Sequence, residues 1–195
     1  MPAPVIIVTG VSRGIGRAIA DELQSRGAAV VGAARSVAVV PATASLLPVA
    51  ADVTQETGRQ ALLEAALARH GRIDGLVNNV GSAFRRASVD TALEDFRQVL
   101  EVNLLATFAL CRAAHPHLKA SRGSVVNISS VTGSRVLPVR SPTARARRRL
   151  TTSPVPWRWS GGRTESASTR CCPGSRARKW CSRSWRTATS FRSRS

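Results

Sequence analysis

Residues 9–16, Thr9-Gly10-Val11-Ser12-Arg13-Gly14-Ile15-Gly16, constrain this chain more than any other stretch. They follow the β-branched run Val5-Ile6-Ile7-Val8 and open onto Arg17-Ala18-Ile19-Ala20-Asp21-Glu22-Leu23, whose apolar residues recur at helical spacing. A strand, a glycine turn and a helix in that order form the setting in which a glycine-rich loop binds a dinucleotide. Gly10 permits a tight turn, Gly14 lets the backbone approach a pyrophosphate, and Gly16 lets the helix lie against the strand. The helix that follows presents the free N–H groups of its first turn to phosphate. The stretch therefore predicts a nucleotide site.

The remaining elements follow in order. Ala28 to Ala34 reads as a second strand, entered from the helix-ending Gly27 and leading to Arg35-Ser36. An NAD-preferring site places an acid at that position, on the ribose 2′-hydroxyl, whereas Arg13 and Arg35 together suit a 2′-phosphate, so the cofactor expected is NADP rather than NAD. Leu46 to Ala51 reads as a weaker third strand that delivers Asp52-Val53, and Asp52 is positioned to cap a helix beginning near Thr54. A helix over Glu56–His70, with Leu62, Leu63, Ala66 and Leu67 on one face, returns the chain through Gly71 to a strand Gly75-Leu76-Val77. That strand ends in Asn78-Asn79-Val80-Gly81, which on its own is an ordinary turn signal. A helix is predicted from Leu93 to Leu118, and a fifth strand from Ser124 to Ile128 leads into Ser129-Ser130-Val131-Thr132-Gly133. Strands alternating with helices predict a doubly wound parallel sheet, a Rossmann fold of strand order 3-2-1-4-5.

The Thr-Gly-x-x-x-Gly-x-Gly turn, the Asn-Asn-Val-Gly run and the Ser-x-x-Gly run, in that order, resemble the short-chain dehydrogenase/reductase family over residues 5 to about 139. The resemblance implies an NADP-dependent oxidoreductase that interconverts a small-molecule carbonyl and an alcohol by hydride transfer. It assigns cofactor contacts to Gly10, Ser12, Arg13, Gly14, Ile15 and Gly16, to Arg35 and Ser36, to Asp52 and Val53 over the adenine, and to Asn78 and Gly81. It makes Ser130, the serine directly before x-x-Gly, the group that stabilises the substrate carbonyl. It makes Asn103, in Val102-Asn103, the residue whose backbone distortion holds a water in the proton relay; read alone, Asn103 is a solvated helix polar. Family members are usually homo-oligomeric, through a helix face that here carries Leu100, Leu104 and Phe108. No metal is expected.

The resemblance stops near residue 139. The family next has Tyr-x-x-x-Lys, a tyrosine proton donor with a lysine that lowers its pKa from the ordinary value of about 10. This chain has Arg140-Ser141-Pro142-Thr143-Ala144-Arg145 there, and it contains no tyrosine at all. Charge changes at the same place. Of the net +18, residues 140–195 carry 15 of the 29 basic residues and one of the 11 acids, Glu165, together with all four tryptophans. That stretch lacks either hydrophobic period and predicts a basic, disordered tail following an incomplete NADP-binding domain over residues 1–139.

Reading the third base of each codon with the first two of the next gives a different string from Arg140. Permitted codons yield Val-Pro-Tyr-Cys-Ala-Ser-Lys, and from Arg163 they yield Asp-Gly-Ile-Arg-Val-Asn-Ala-Val-Leu-Pro-Gly. A frame change between about Val136 and Arg140 therefore accounts for the missing Tyr/Lys helix and the missing C-terminal strands, and it leaves the fifth strand as an unpaired sheet edge. For the chain as written, the expectation is a catalytically inactive nucleotide-binding fragment. Arginine and tryptophan in a tail also suit nonspecific nucleic-acid binding, with no specific nucleic acid as partner. Met1-Pro2-Ala3-Pro4 is no secretory start and no run is long enough for a membrane span, so a cytoplasmic location is expected.

Overall fold

The computed structural model describes residues 2–83 and 88–130, with a two-residue strand at 164–165. The elements are β1 (Val5–Thr9), α1 (Gly14–Ser25), β2 (Ala29–Ala34), β3 (Leu46–Ala50), α2 (Glu56–His70), β4 (Gly75–Asn78), α3 (Leu93–Leu100), α4 (Ala106–Ser121), β5 (Ser124–Asn127) and β6 (Thr164–Glu165). The strands form one parallel sheet in the order β3-β2-β1-β4-β5-β6. This is the doubly wound sheet of order 3-2-1-4-5 that the alternation of strands and helices predicts, extended by β6. Registers run Val5↔Ala29 to Thr9↔Ala33 for β1 and β2, and Gly75↔Ser124 to Asn78↔Asn127 for β4 and β5.

The period of two along β1 builds both faces. Val5 and Ile7 enter a core with Leu62, Leu63 and Ala66 of α2 and Leu110, Ala114 and Leu118 of α4. Ile6 and Val8 enter a second core with Ile19, Ala20 and Leu23 of α1. All five residues of β1 are buried, as a central parallel strand covered on both faces requires.

Three expectations change. The single helix foreseen from Leu93 to Leu118 is interrupted by a five-residue π-helical turn, Glu101–Leu105, in which the Ala106 N–H donates to the Glu101 carbonyl. Apolar spacing continues through that turn and conceals the extra residue. Asp52 does not cap α2; the helix begins at Glu56 behind Gln55 with no side-chain cap, because the Asp52 carboxylate is engaged two residues on, at Thr54. The edge of β5 is not wholly unpaired, since Val125↔Thr164 and Val126↔Glu165 are in parallel register. An open strand edge offers N–H and C=O groups to any extended segment within reach, and here two residues meet it. The Tyr/Lys segment, the boundary at residue 139 and the rest of the 140–195 tail lie outside the described residues.

Candidate functional site

Because the strands are parallel, the loops after β1 to β5 all leave the same edge of the sheet, and the residues singled out by sequence gather there. Gly10 N–H and Val11 N–H both donate to the Ala33 carbonyl, at 2.8 and 3.2 Å, which ties the glycine loop to the end of β2. Gly10 has φ +76, and a Cβ on Gly16 would stand 2.2 Å from the Gly10 carbonyl oxygen, so α1 rests directly on the turn. Gly14 differs: its φ is +64 and nothing lies within 4 Å of where its Cβ would be. The loop is closed toward the protein at Gly16 and open outward at Gly14. Arg13 and Ile15 are exposed and Ser12 is half-buried, while α1 begins without any side-chain cap to occupy its N–H groups.

Thr9 and Asn79, quoted within the sequence motifs but given no role there, hold this loop against β4. Thr9 is buried at the end of β1, and its hydroxyl accepts from the Asn79 N–H at 2.9 Å and the Val80 N–H at 3.1 Å. The Asn79 amide in turn donates to the Thr9 carbonyl at 3.0 Å. Thr9 directly before the first glycine was the available signal. Asn78, by contrast, turns its side chain away from the loop edge, into the sheet and α4. Its amide donates to Asn127 Oδ1 at 2.9 Å and to the Cys111 Sγ at 3.3 Å. Burial pushes the Cys111 thiol up to about 11, with the Asn78 contact opposing that shift. Gly81 is exposed beyond β4.

Farther along the same edge, Arg35 and Ser36 are exposed after β2 and Asp52 is half-buried after β3. Asp52 Oδ1 accepts from the Thr54 N–H at 2.9 Å and from the Thr54 hydroxyl at 2.7 Å. These two bonds, with the nearby Arg35 charge, hold the Asp52 carboxyl below the usual carboxylate range despite partial burial. Arg59 reaches back from α2 to the Val53 and Thr54 carbonyls at 2.9 and 2.8 Å, and Gly58 leaves room for the Asp52 carbonyl. Arg59 and Gly58 thus fix the loop that carries Asp52 and buried Val53; neither belongs to the sequence motifs.

Asn103 lies within the π-helical turn and is 1% exposed. It is not a solvated helix polar: its Oδ1 accepts from the Ser82 N–H at 3.0 Å and its Nδ2 donates to the Ser82 carbonyl at 2.9 Å. Ser129 is buried and Ser130 half-buried, one and two residues past Ile128, whose N–H is bound by the Asn78 carbonyl. One edge therefore gathers an open glycine loop, the exposed Arg35 near the Asp52 carboxylate, and hydroxyl and amide groups beyond β4 and β5. Among the described residues no group of His, Cys, Asp and Glu is arranged to hold a metal ion, and no helix is long and apolar enough to cross a membrane.

This geometry can be compared with known proteins. L-fucose dehydrogenase of Bos taurus is 43% identical over 138 residues, 67% of this chain and 50% of that protein. The chain spans roughly half the length of the curated relatives it matches. Among solved structures, the 3-ketoacyl-(acyl-carrier-protein) reductase from Brucella melitensis, complexed with NADH, superposes with a TM-score of 0.73 at 25% identity, covering 77% of this chain and 66% of that one. The Thermoplasma acidophilum aldohexose dehydrogenase superposes with a TM-score of 0.70 at 30% identity, covering 76% and 57%. A family model described as short chain dehydrogenase matches residues 4–143. By sequence and by fold, the chain belongs to the short-chain dehydrogenase family.

Proposed function

We propose that the described fold binds NADP at the carboxyl edge of its sheet and is the scaffold of a carbonyl/alcohol oxidoreductase, and that the chain as written binds the dinucleotide without completing the reaction. The observation that carries this reading is the glycine loop, closed at Gly16 by the Gly10 carbonyl and open at left-handed Gly14. Such a loop accepts phosphate oxygens on backbone N–H groups at the start of α1, where the helix dipole favours negative charge. Arg13 and Arg35 meet the 2′-phosphate, while the Asp52–Val53 loop, braced by Arg59, closes the adenine end. A bound nicotinamide dinucleotide supplies or accepts the hydride. Ser130 donates its hydroxyl to the substrate oxygen, and Asn103 holds the loop between them. The oxygen also needs a proton, and the chain has no tyrosine to donate it.

The test is a fluorescence titration of the chain with NADPH beside an assay of NADPH oxidation with ketones and diketones. Saturable binding without turnover is expected; turnover abolished by Ser130→Ala would overturn the inactive reading. Shifting the frame from about codon 136 onward should restore turnover. In that protein Arg35→Asp should weaken NADPH by about 10- to 100-fold relative to NADH, since the 2′-phosphate loses a charge-assisted contact. Equal use of both cofactors, unchanged in the variant, would count against NADP.

A further inference from the structure

Ser82 stands out among the polar groups at this edge. Both its backbone groups are bound by one side chain, the Asn103 amide, at 3.0 and 2.9 Å. Asn103 is itself buried within the π-helical turn, so the position of Ser82 is set on two sides by a rigid neighbour. Its hydroxyl, however, is the buried side-chain polar atom that has no hydrogen-bond partner among the described residues. Burying a hydroxyl unpaired is destabilising, and an alanine would fill the same place without that cost.

The residue as a whole is only half-buried. A serine side chain has three staggered rotamers about χ1, so the hydroxyl can leave its closed position while the backbone stays clamped. Its place in the fold says what waits there. Ser82 is one residue beyond Gly81, past the carboxyl end of β4, and β1 and β4 are the neighbours between which the strand order reverses. A dinucleotide lies across that switch point. Arg35 and Asp52, after β2 and β3, stand on the adenine side; Ser82 stands on the other side, short of Ser130 after β5 where the substrate oxygen is assigned.

We propose that the Ser82 hydroxyl hydrogen-bonds the nicotinamide-side ribose of the bound dinucleotide. The hydroxyl is at once donor and acceptor, which matches a ribose diol. The inference rests on the dinucleotide reading above and adds a contact that none of the glycine-loop residues supplies.

The test uses the full chain with Ser82→Ala and Ser82→Thr, titrated separately with NADPH and with adenosine 2′,5′-bisphosphate, which lacks the nicotinamide half, and melted without ligand. Ser82→Ala should weaken NADPH by about 3- to 10-fold. It should leave the bisphosphate affinity unchanged and the unliganded midpoint equal or higher. Ser82→Thr, which keeps a hydroxyl, should bind NADPH within about twofold of the parent, a change well below the loss of one hydrogen bond. Unchanged NADPH affinity in Ser82→Ala, equal weakening of both ligands, equal loss in the alanine and threonine variants, or a lowered unliganded midpoint would each overturn the contact. If the parent chain binds neither ligand, the dinucleotide reading fails and takes this inference with it. If the parent binds both and Ser82→Ala matches it, only the Ser82 contact is refuted.

Discussion

Cys111 shows how one residue's surroundings become a measurable property. The thiol is 5% exposed in the core between α4 and the sheet, and burial raises its pKa to about 11 from an ordinary 9.0. The protonated thiol accepts a hydrogen bond from the Asn78 amide, which also spans to Asn127 on β5. A group that holds its proton more tightly when folded contributes stability that is complete below its unfolded pKa and is lost as pH rises through the folded value. Between about pH 9 and pH 11 the parent should therefore lose about 2 to 3 kcal/mol more than Cys111→Ala, whose side chain does not titrate. Urea unfolding of the two proteins across that range measures the difference. Parallel profiles would mean that the thiol is open to solvent or already ionised. The Asn78 side chain was legible as part of a motif but not in its orientation, because the motif specifies a turn and says nothing of which face each amide takes.

Among the elements, α1 with its glycine turn and the π-helical turn before α4 define the site, and they were unequally legible. The glycines announced themselves because each answers to a distinct steric demand, and the structure separates those demands. A methyl group on Gly16 would meet the Gly10 carbonyl oxygen at 2.2 Å, a contact that only backbone movement can relieve. A methyl group on Gly14 meets nothing, but it must be carried at φ +64, where an L-residue is disfavoured. Gly16→Ala should thus cost about 1 to 3 kcal/mol by overpacking. Gly14→Ala should cost about 1 kcal/mol in stability. Dinucleotide affinity should rank differently: in Gly14→Ala it should fall by more than stability alone explains, since the methyl group stands on the open face. Chemical unfolding and NADPH titration of both variants give the two rankings, and a Gly14→Ala protein that binds like the parent would remove that face from the phosphate site. The π-helical turn left no such trace. Val99 before it, Leu104 within it and Leu110 after it keep an apolar stripe going, and one extra residue in a turn changes backbone pairing without changing the hydrophobic pattern.

Across the whole molecule, the parallel sheet sends its site loops to one edge and leaves the other to hold the strands together. There Asp74 Oδ2 accepts from the Val5 N–H and from Arg72 Nε, both at 2.9 Å. The Asp74 N–H donates to the Val5 carbonyl, and the Asp74 carbonyl accepts from the Ser124 N–H. One residue thereby joins the starts of β1, β4 and β5. Its role was not legible from sequence, because Asp before Gly reads as an ordinary turn, and the partners lie 69 residues upstream and, through the main chain, at the head of β5. Asp74→Ala should lower stability by about 1 to 3 kcal/mol, the cost of leaving the Val5 N–H without its acceptor; the exposed Arg72 ion pair adds little. The same substitution should leave NADPH affinity unchanged, since the glycine loop, Arg35 and Ser82 all lie at the opposite edge. Combined with Gly14→Ala, the two stability losses should add to within about 0.5 kcal/mol, as separated sites without shared partners do. Unfolding and NADPH titration of the parent, the two single variants and the double variant test this. A fall in affinity on Asp74→Ala, or a double variant that departs clearly from the sum, would show that the sheet couples its two edges rather than merely spacing them.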